Sequence, residues 1–264
     1  MKTLAVIPAR LDSKRLPGKV LRQVVGKPLV QHVYERVRRA ARVDEVIIAT
    51  DSEEVAQACR AFTSSVFFSQ RVHATGSDRS AEVAETLDVE IVINVQCDEP
   101  MMDPHLVDAM IDVFEDPGVE MASAVRPIER REELLDPNVV KVVTDQAGDA
   151  LYFSRAPIPW PRNDPPGGSG PLGEGTFAHN HIGIYAYRKR CLAALAAMPR
   201  SPLEKLESLE QLRAQENGIK IRIVEWDYRG IDVDTEEDLE RLRRRIEQEG
   251  ESATDTRGDR RAGL

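Results

Sequence analysis

Four short apolar runs, Leu4–Ile7, Glu45–Ala49, Ile91–Val95 and Met121–Val125, recur along the chain with stretches of helical period between them. That alternation restricts the fold severely, because parallel strands must be joined by crossovers long enough to hold a helix. It predicts an α/β protein with a mostly parallel, doubly wound sheet. Pro28 suits an early position in the first helix, and Ser52 is placed to cap a helix over Glu53–Phe62. Val139–Thr144, Ala150–Ser154 and His181–Tyr187 are rich in β-branched and aromatic residues with polar or glycine turns between them. They read as a smaller antiparallel addition over about residues 139–187, a substrate-side or dimer-forming subsheet.

Leu203, Leu206, Leu209 and Leu212 describe one amphipathic helix from Leu203 to Asn217, closed by Gly218. A last helix is expected from about Thr235 to about Gln248. The polar residues 249–264 should be a disordered tail, which puts a single α/β domain at 1–248. Pro157–Phe177, rich in proline and glycine, should be a long loop, either a lid or a plain insertion.

The first strand runs directly into Pro8-Ala9-Arg10-Leu11-Asp12-Ser13-Lys14-Arg15-Leu16-Pro17-Gly18-Lys19. Ligands of α/β proteins sit at the carboxyl ends of strands, so Arg10, Lys14, Arg15 and Lys19 are placed where a polyphosphate would lie. Pro8 and Pro17 fix φ on both flanks, and Gly18 permits close backbone approach. The spacing matches neither a P-loop nor a dinucleotide fingerprint, which argues against an ATPase and a dehydrogenase and leaves a nucleotidyltransferase-like loop.

Asp98 follows the strand Ile91–Val95 and should present its carboxylate at the same edge, while Asp234 lies in the acidic turn Asp232-Val233-Asp234. Mg²⁺ takes hard oxygen ligands and is commonly held by one or two carboxylates plus substrate phosphates. Taken singly, Asp98 has a plainer reading as the start of a turn and Asp234 as a helix cap.

A net charge of −9 excludes a broad basic face for nucleic acid or an anionic membrane. Cys59, Cys97 and Cys191 stand far apart, with neither zinc-ligand nor disulfide spacing, which suits a reducing cytoplasm. No leader or membrane span is expected.

Beyond the loop at 8–19, Asn94-Val95-Gln96-Cys97-Asp98-Glu99-Pro100, Tyr152-Phe153-Ser154-Arg155-Ala156, His181-Ile182-Gly183-Ile184-Tyr185, Leu209-Glu210-Gln211-Leu212-Arg213 and Val233–Leu239 follow in order. Together these motifs resemble the 3-deoxy-manno-octulosonate cytidylyltransferases from about Lys2 to about Ile246.

The resemblance implies a Rossmann-like nucleotide-diphospho-sugar transferase fold. It implies that CTP and 3-deoxy-D-manno-octulosonate (Kdo) become CMP-Kdo and pyrophosphate for lipopolysaccharide synthesis, with Mg²⁺ as cofactor and a homodimer as the assembly. It assigns the metal to Asp98 and Asp234, with Asp232 and Glu99 as local competitors, and catalytic charge to Arg10, Arg15 and Lys19. Pro8, Ala9, Arg10, Ser77, Arg79 and Gln96 would hold the nucleotide. Arg155, His181, Tyr185, Glu207, Glu210 and Gln211 would hold the acidic sugar. One departure stands out: the family usually has glycine where this chain has Cys97. If that position needs φ > 0, cysteine strains it and narrows the pocket, which keeps 8-amino-Kdo or a sialic-acid-like sugar as the alternative substrate.

Overall fold

A computed structural model describes residues 1–13, 15–162, 169–172 and 178–258, with side chains to Glu249. The strands are β1 (Thr3–Pro8), β2 (Gln23–Val24), β3 (Lys27–Pro28), β4 (Glu45–Thr50), β5 (Val66–Phe68), β6 (Ile91–Val95), β7 (Met121–Pro127), β8 (Lys141–Thr144), β9 (Ala150–Ser154), β10 (His179–Arg188) and β11 (Ile221–Glu225). The helices are α1 (Leu29–Val37), α2 (Glu53–Arg60), α3 (Gly76–Glu85), α4 (Pro104–Asp112), α5 (Arg131–Leu135), α6 (Lys189–Ala197), α7 (Pro202–Glu207), α8 (Gln211–Glu216) and α9 (Glu236–Gly258).

The main sheet has the order β11-β7-β10-β6-β1-β4-β5. β1 pairs in parallel with β4 and β6, β4 with β5, and β7 with β11, whereas β10 runs antiparallel to both β6 and β7. β10 therefore inverts one strand inside an otherwise parallel sheet, and β8 and β9 hang from it as the smaller antiparallel part.

Strand alternation explains why the runs are apolar on both faces. Ala5 and Ile7 enter one core cluster with α1, α2 and α4; Leu4 and Val6 enter the other with α3, α6 and α8. The chain leaves β1 toward β4 and β5, then returns to β6 on the other side of β1. The loops after β1 and β6 thus open onto one crevice at the topological switch point.

Two expectations need correction. The predicted helix Leu203–Asn217 is broken into α7 and α8, because Ser208 adopts φ 54 and ψ 47, a left-handed conformation that ends a helix. Ser carries no sequence signal for that break. The last helix continues to Gly258 instead of stopping near Gln248, so the expected disordered tail is helical in its first part. Within Pro157–Phe177, residues 163–168 and 173–177 lie outside the described residues, as do Lys14 and 259–264.

Candidate active site

The loop after β1 is pinned by the buried side chains of Leu16 and Val20. Gly18 sits at φ 64, the left-handed conformation that glycine adopts without strain, and starts the short turn Lys19–Leu21. That turn drives Lys19 inward. Its Nζ donates to Asp98 at 2.7 Å, to Asp234 at 3.0 Å and to the Val233 carbonyl at 3.1 Å. Burial alone would lower the Lys19 pKa, but the charges of Asp98 and Asp234 outweigh it and raise the ammonium above its usual range. Arg15 reaches Asp234 at 2.5 Å from the solvent side.

Asp98, Asp232 and Asp234 offer carboxylate oxygens that all lie within 4.8 Å of one another. Loss of water, then the charges of Asp98, Glu99 and Asp234, push the Asp232 carboxyl upward, an effect that its solvent-exposed surface moderates. A cluster of hard oxygen donors already satisfied by an ammonium fits Mg²⁺.

β10 brings the rest of the site to this edge. Because it runs antiparallel, its first residues meet the ends of its neighbours: Ile184 stands opposite Val95, and His181 opposite Val125. A recess of about 540 Å³ lies here, lined by Gln96, Asp98, Asp232, His181, Arg126 and Arg241 among others. It adjoins a second of about 340 Å³, which shares Gln96, His181 and Gly183 and adds Arg10, Thr75, Tyr185, Glu210 and Gln211. A larger recess of about 730 Å³ flanks the first but contains none of the three aspartates, so the chemistry belongs to the two smaller ones.

The His181 ring is held as one tautomer. Ser123 Oγ donates to the Ile184 carbonyl at 2.8 Å, so at 2.8 Å from His181 Nε2 it accepts, which makes Nε2 the protonated nitrogen. Burial pushes this imidazole down to about 3. Unfolded histidine titrates near 6.5, so between pH 3 and 6.5 the unfolded chain binds a proton that the folded chain refuses. Stability then falls as the pH drops through that window and is flat above it. The His181 share is about 2 kcal/mol between pH 7 and pH 5, and His181→Asn should flatten the pH dependence of urea unfolding by that much. An unaltered slope would show that His181 protonates in the fold.

Tyr185 Oη donates to Gln211 Oε1 at 3.0 Å, which leaves buried Gln211 Nε2 without a partner within the protein. An unmet donor of this kind costs about 1–3 kcal/mol and suits a ligand oxygen. Glu210 accepts from Ser77 Oγ at 2.7 Å, and burial raises its carboxyl above the usual range.

The cytidylyltransferase family matches this chain over residues 4–221. The chain belongs to that family. The protein named 3-deoxy-manno-octulosonate cytidylyltransferase of Geobacter metallireducens is 46% identical over 248 residues, covering 92% of this chain and 96% of its own. The one of Syntrophotalea carbinolica is 48% identical over 245 residues, covering 92% and 97%. Among solved structures, CMP:2-keto-3-deoxy-manno-octonic acid synthetase complexed with CTP superposes with a TM-score of 0.87 at 42% identity, covering 94% of this chain and 100% of its own. A glucose-1-phosphate thymidylyltransferase from Bacillus anthracis, described as putative, shares the fold alone, with a TM-score of 0.63 at 14% identity.

Against this cytidylyltransferase cleft, the residues singled out in the sequence divide into two groups. Arg10, Arg15, Lys19, Gln96, Asp98, His181, Tyr185, Glu210, Gln211 and Asp234 come together along it. Pro8 and Ala9 end β1 beside it, with Ala9 N donating to the Ala49 carbonyl at 2.8 Å. Ser77 stands behind Glu210, bonded also to Asn94.

Three of the expected residues are engaged within the protein instead. Arg79 is fully buried and gives both terminal nitrogens to Asp51, at 3.0 and 2.6 Å, so it braces α3 against the end of β4. Arg155 spends its guanidinium on the carbonyls of Glu207 and Pro137. Glu207 in turn accepts from Ser154 Oγ and the Arg155 amide, so this pair ties α7 to the end of β9 and lines neither recess.

Cys97 is likewise harmless. Among described residues only Val25 and Ser208 have positive φ outside glycine, and the Cys97 side chain packs in the core beneath the sheet edge. The expected strain and narrowing are absent. Sequence reasoning underrated Asp232. Val233 is fully buried, and strand-like alternation about it puts Asp232 and Asp234 on one side, a signal present in the sequence. It also missed Arg126, which the end of β7 delivers to the recess.

Proposed function

We propose that this chain transfers the cytidylyl group of CTP to Kdo, releasing CMP-Kdo and pyrophosphate. The observation that carries the reading is the junction of a three-carboxylate cluster, held by Lys19, with a recess of hydroxyl-binding side chains. The names of the relatives and of the CTP-bound structure support it. The oxygen of the sugar's anomeric hydroxyl forms the new bond to the α-phosphorus and gives up its proton to solvent, the bond from that phosphorus to the bridging oxygen breaks, and pyrophosphate leaves.

Asp98, Asp232 and Asp234 would hold Mg²⁺, which as a Lewis acid stabilises charge on the phosphate oxygens. Lys19, Arg15 and Arg10 neutralise the triphosphate and the departing pyrophosphate. Neutral His181 cannot repel a cation or protonate the acceptor, and Tyr185 fixes the Gln211 amide so that Nε2 donates to a sugar hydroxyl or carboxylate. Most of the rate comes from this fixed arrangement. Because Cys97 lies in the core and not in the recess, nothing at that position favours 8-amino-Kdo or a sialic-acid-like sugar.

A homodimer suits the exposed Leu151, Trp160 and Leu206, apolar side chains that a second copy would cover. Among the described residues, no helix is long and apolar enough to cross a membrane. Cytoplasmic action, supplying CMP-Kdo for lipopolysaccharide, accords with three unpaired cysteines.

The deciding experiment follows pyrophosphate release with Mg²⁺ and each of CTP, UTP and ATP, with Kdo, its 8-amino analogue and a sialic acid as acceptors. Release from CTP that depends on Kdo is the expected result. CTP binding with no release for any sugar would overturn the proposed reaction.

A further inference from the structure

The residues from Trp226 to Asp234 form no helix or strand, yet two of their carboxylates must meet Asp98 on a different loop. Three hydrogen bonds cross between these loops, the outermost from Trp226 Nε1 to Asp103 Oδ2 at 2.9 Å. Val233 N donates to the Asp98 carbonyl at 2.9 Å. Tyr228 Oη donates to Glu99 Oε2 at 2.6 Å, with Tyr228 only 8% and Glu99 only 7% exposed. The Tyr228 ring belongs to the main core cluster, with Trp226 packed against it.

Gly230 closes over the same phenol: a Cβ built there would collide with Tyr228 Oη and Cζ, so any side chain must evict the ring. The reaction proposed above gives no part to Glu99, although it lines the same recess as Asp98. A carboxylate buried beside three others is unfavourable unless it is hydrogen-bonded for some purpose.

We propose that Tyr228 and Glu99 form a latch that sets the spacing of Asp98 from Asp232 and Asp234, and through it the affinity of the cluster for a divalent cation. Both are positioning residues. Neighbours that orient ligating carboxylates commonly change metal affinity by about 10–100-fold. The inference rests on the metal reading given under the proposed function, but not on the identity of the sugar.

The test titrates nucleotide-free protein with Mn²⁺, followed by electron paramagnetic resonance. Tyr228→Phe keeps the ring in the core and removes only the hydroxyl, and it should raise the Mn²⁺ dissociation constant about tenfold. The Mg²⁺ concentration for half-maximal pyrophosphate release should rise by a similar factor, while the KM for CTP at saturating metal stays within about twofold. Glu99→Gln retains an acceptor for the phenol and should bind Mn²⁺ like the wild type; Gly230→Ala, which evicts the ring, should weaken binding at least as much as Tyr228→Phe.

Unchanged Mn²⁺ affinity in Tyr228→Phe overturns the latch. So does a loss in Glu99→Gln as deep as that in Tyr228→Phe, which would make Glu99 a ligand in its own right. If the wild type turns over no sugar acid, the proposed reaction fails, and the Mn²⁺ titrations still decide the latch.

Discussion

Asp98→Asn is expected to slow pyrophosphate release about a thousandfold at saturating Mg²⁺ and CTP, equivalent to about 4 kcal/mol in the barrier. The substitution preserves shape and removes one charge. Asp98 sits at the end of β6 with its carboxylate against Lys19 and within 4.8 Å of the oxygens of Asp232 and Asp234. An amide in its place leaves the proposed metal site two of its three carboxylates, so the affinity for Mg²⁺ should fall as well. Stopped-flow or coupled-assay rates over a wide Mg²⁺ range separate the two effects. Recovery of the wild-type rate at high Mg²⁺ would reduce Asp98 to a binding role, and near-normal rates throughout would remove it from the site.

Lys19→Met carries the second large effect, and it has two readouts of different origin. In turnover, loss of the ammonium that holds Asp98 and Asp234 together beside the proposed phosphate site should cost about a hundredfold in kcat/KM for CTP, equivalent to about 2.7 kcal/mol. In stability, the variant leaves Asp98, Asp232 and Asp234 facing one another with their internal cation gone. A fully buried pair broken in this way costs about 3–5 kcal/mol; with Asp98 and Asp234 side chains 28% and 22% exposed, water lowers that to about 1–2 kcal/mol. The variant should therefore melt earlier than the wild type in metal-free buffer, and Mg²⁺ should restore more of the melting temperature to it than to the wild type. A kcat/KM within threefold of wild type would take Lys19 out of the phosphate site, whatever the melting curves show.

Much of this arrangement is readable from the chain alone. The runs Leu4–Ile7 and Ile91–Val95 are apolar on both faces because helices cover both faces, and that pattern is local. Lys19 is legible from the basic loop that leaves the first strand, whereas Asp98 and Asp234 read singly as a turn start and a helix cap, and their joint match to the family motifs is what singles them out.

Arg79 and Arg155 were opaque for the opposite reason. A guanidinium serves equally well toward a nucleotide, a carboxylate or a carbonyl, and only the packed structure puts Asp51 within reach of one and the carbonyls of Glu207 and Pro137 within reach of the other. Ser208 hides a helix break because its left-handed backbone is imposed by the fold around it and is not a preference of serine. The place of β10 was hidden too: its antiparallel character was legible, but partners far apart in sequence put it between β6 and β7 in the main sheet instead of in a separate subsheet.

That placement bears on how the chain is made. Among the described residues β7 pairs with β10 and β11 alone, and both are synthesised after it. On the ribosome, β1, β4, β5 and β6 can assemble as soon as they emerge, while β7 waits through β8, β9 and the residues that precede β10 with both of its edges open. Until β10 arrives, the nascent chain carries an unpaired apolar strand, Met121–Val125, at the place where a second nascent chain can most easily add to it.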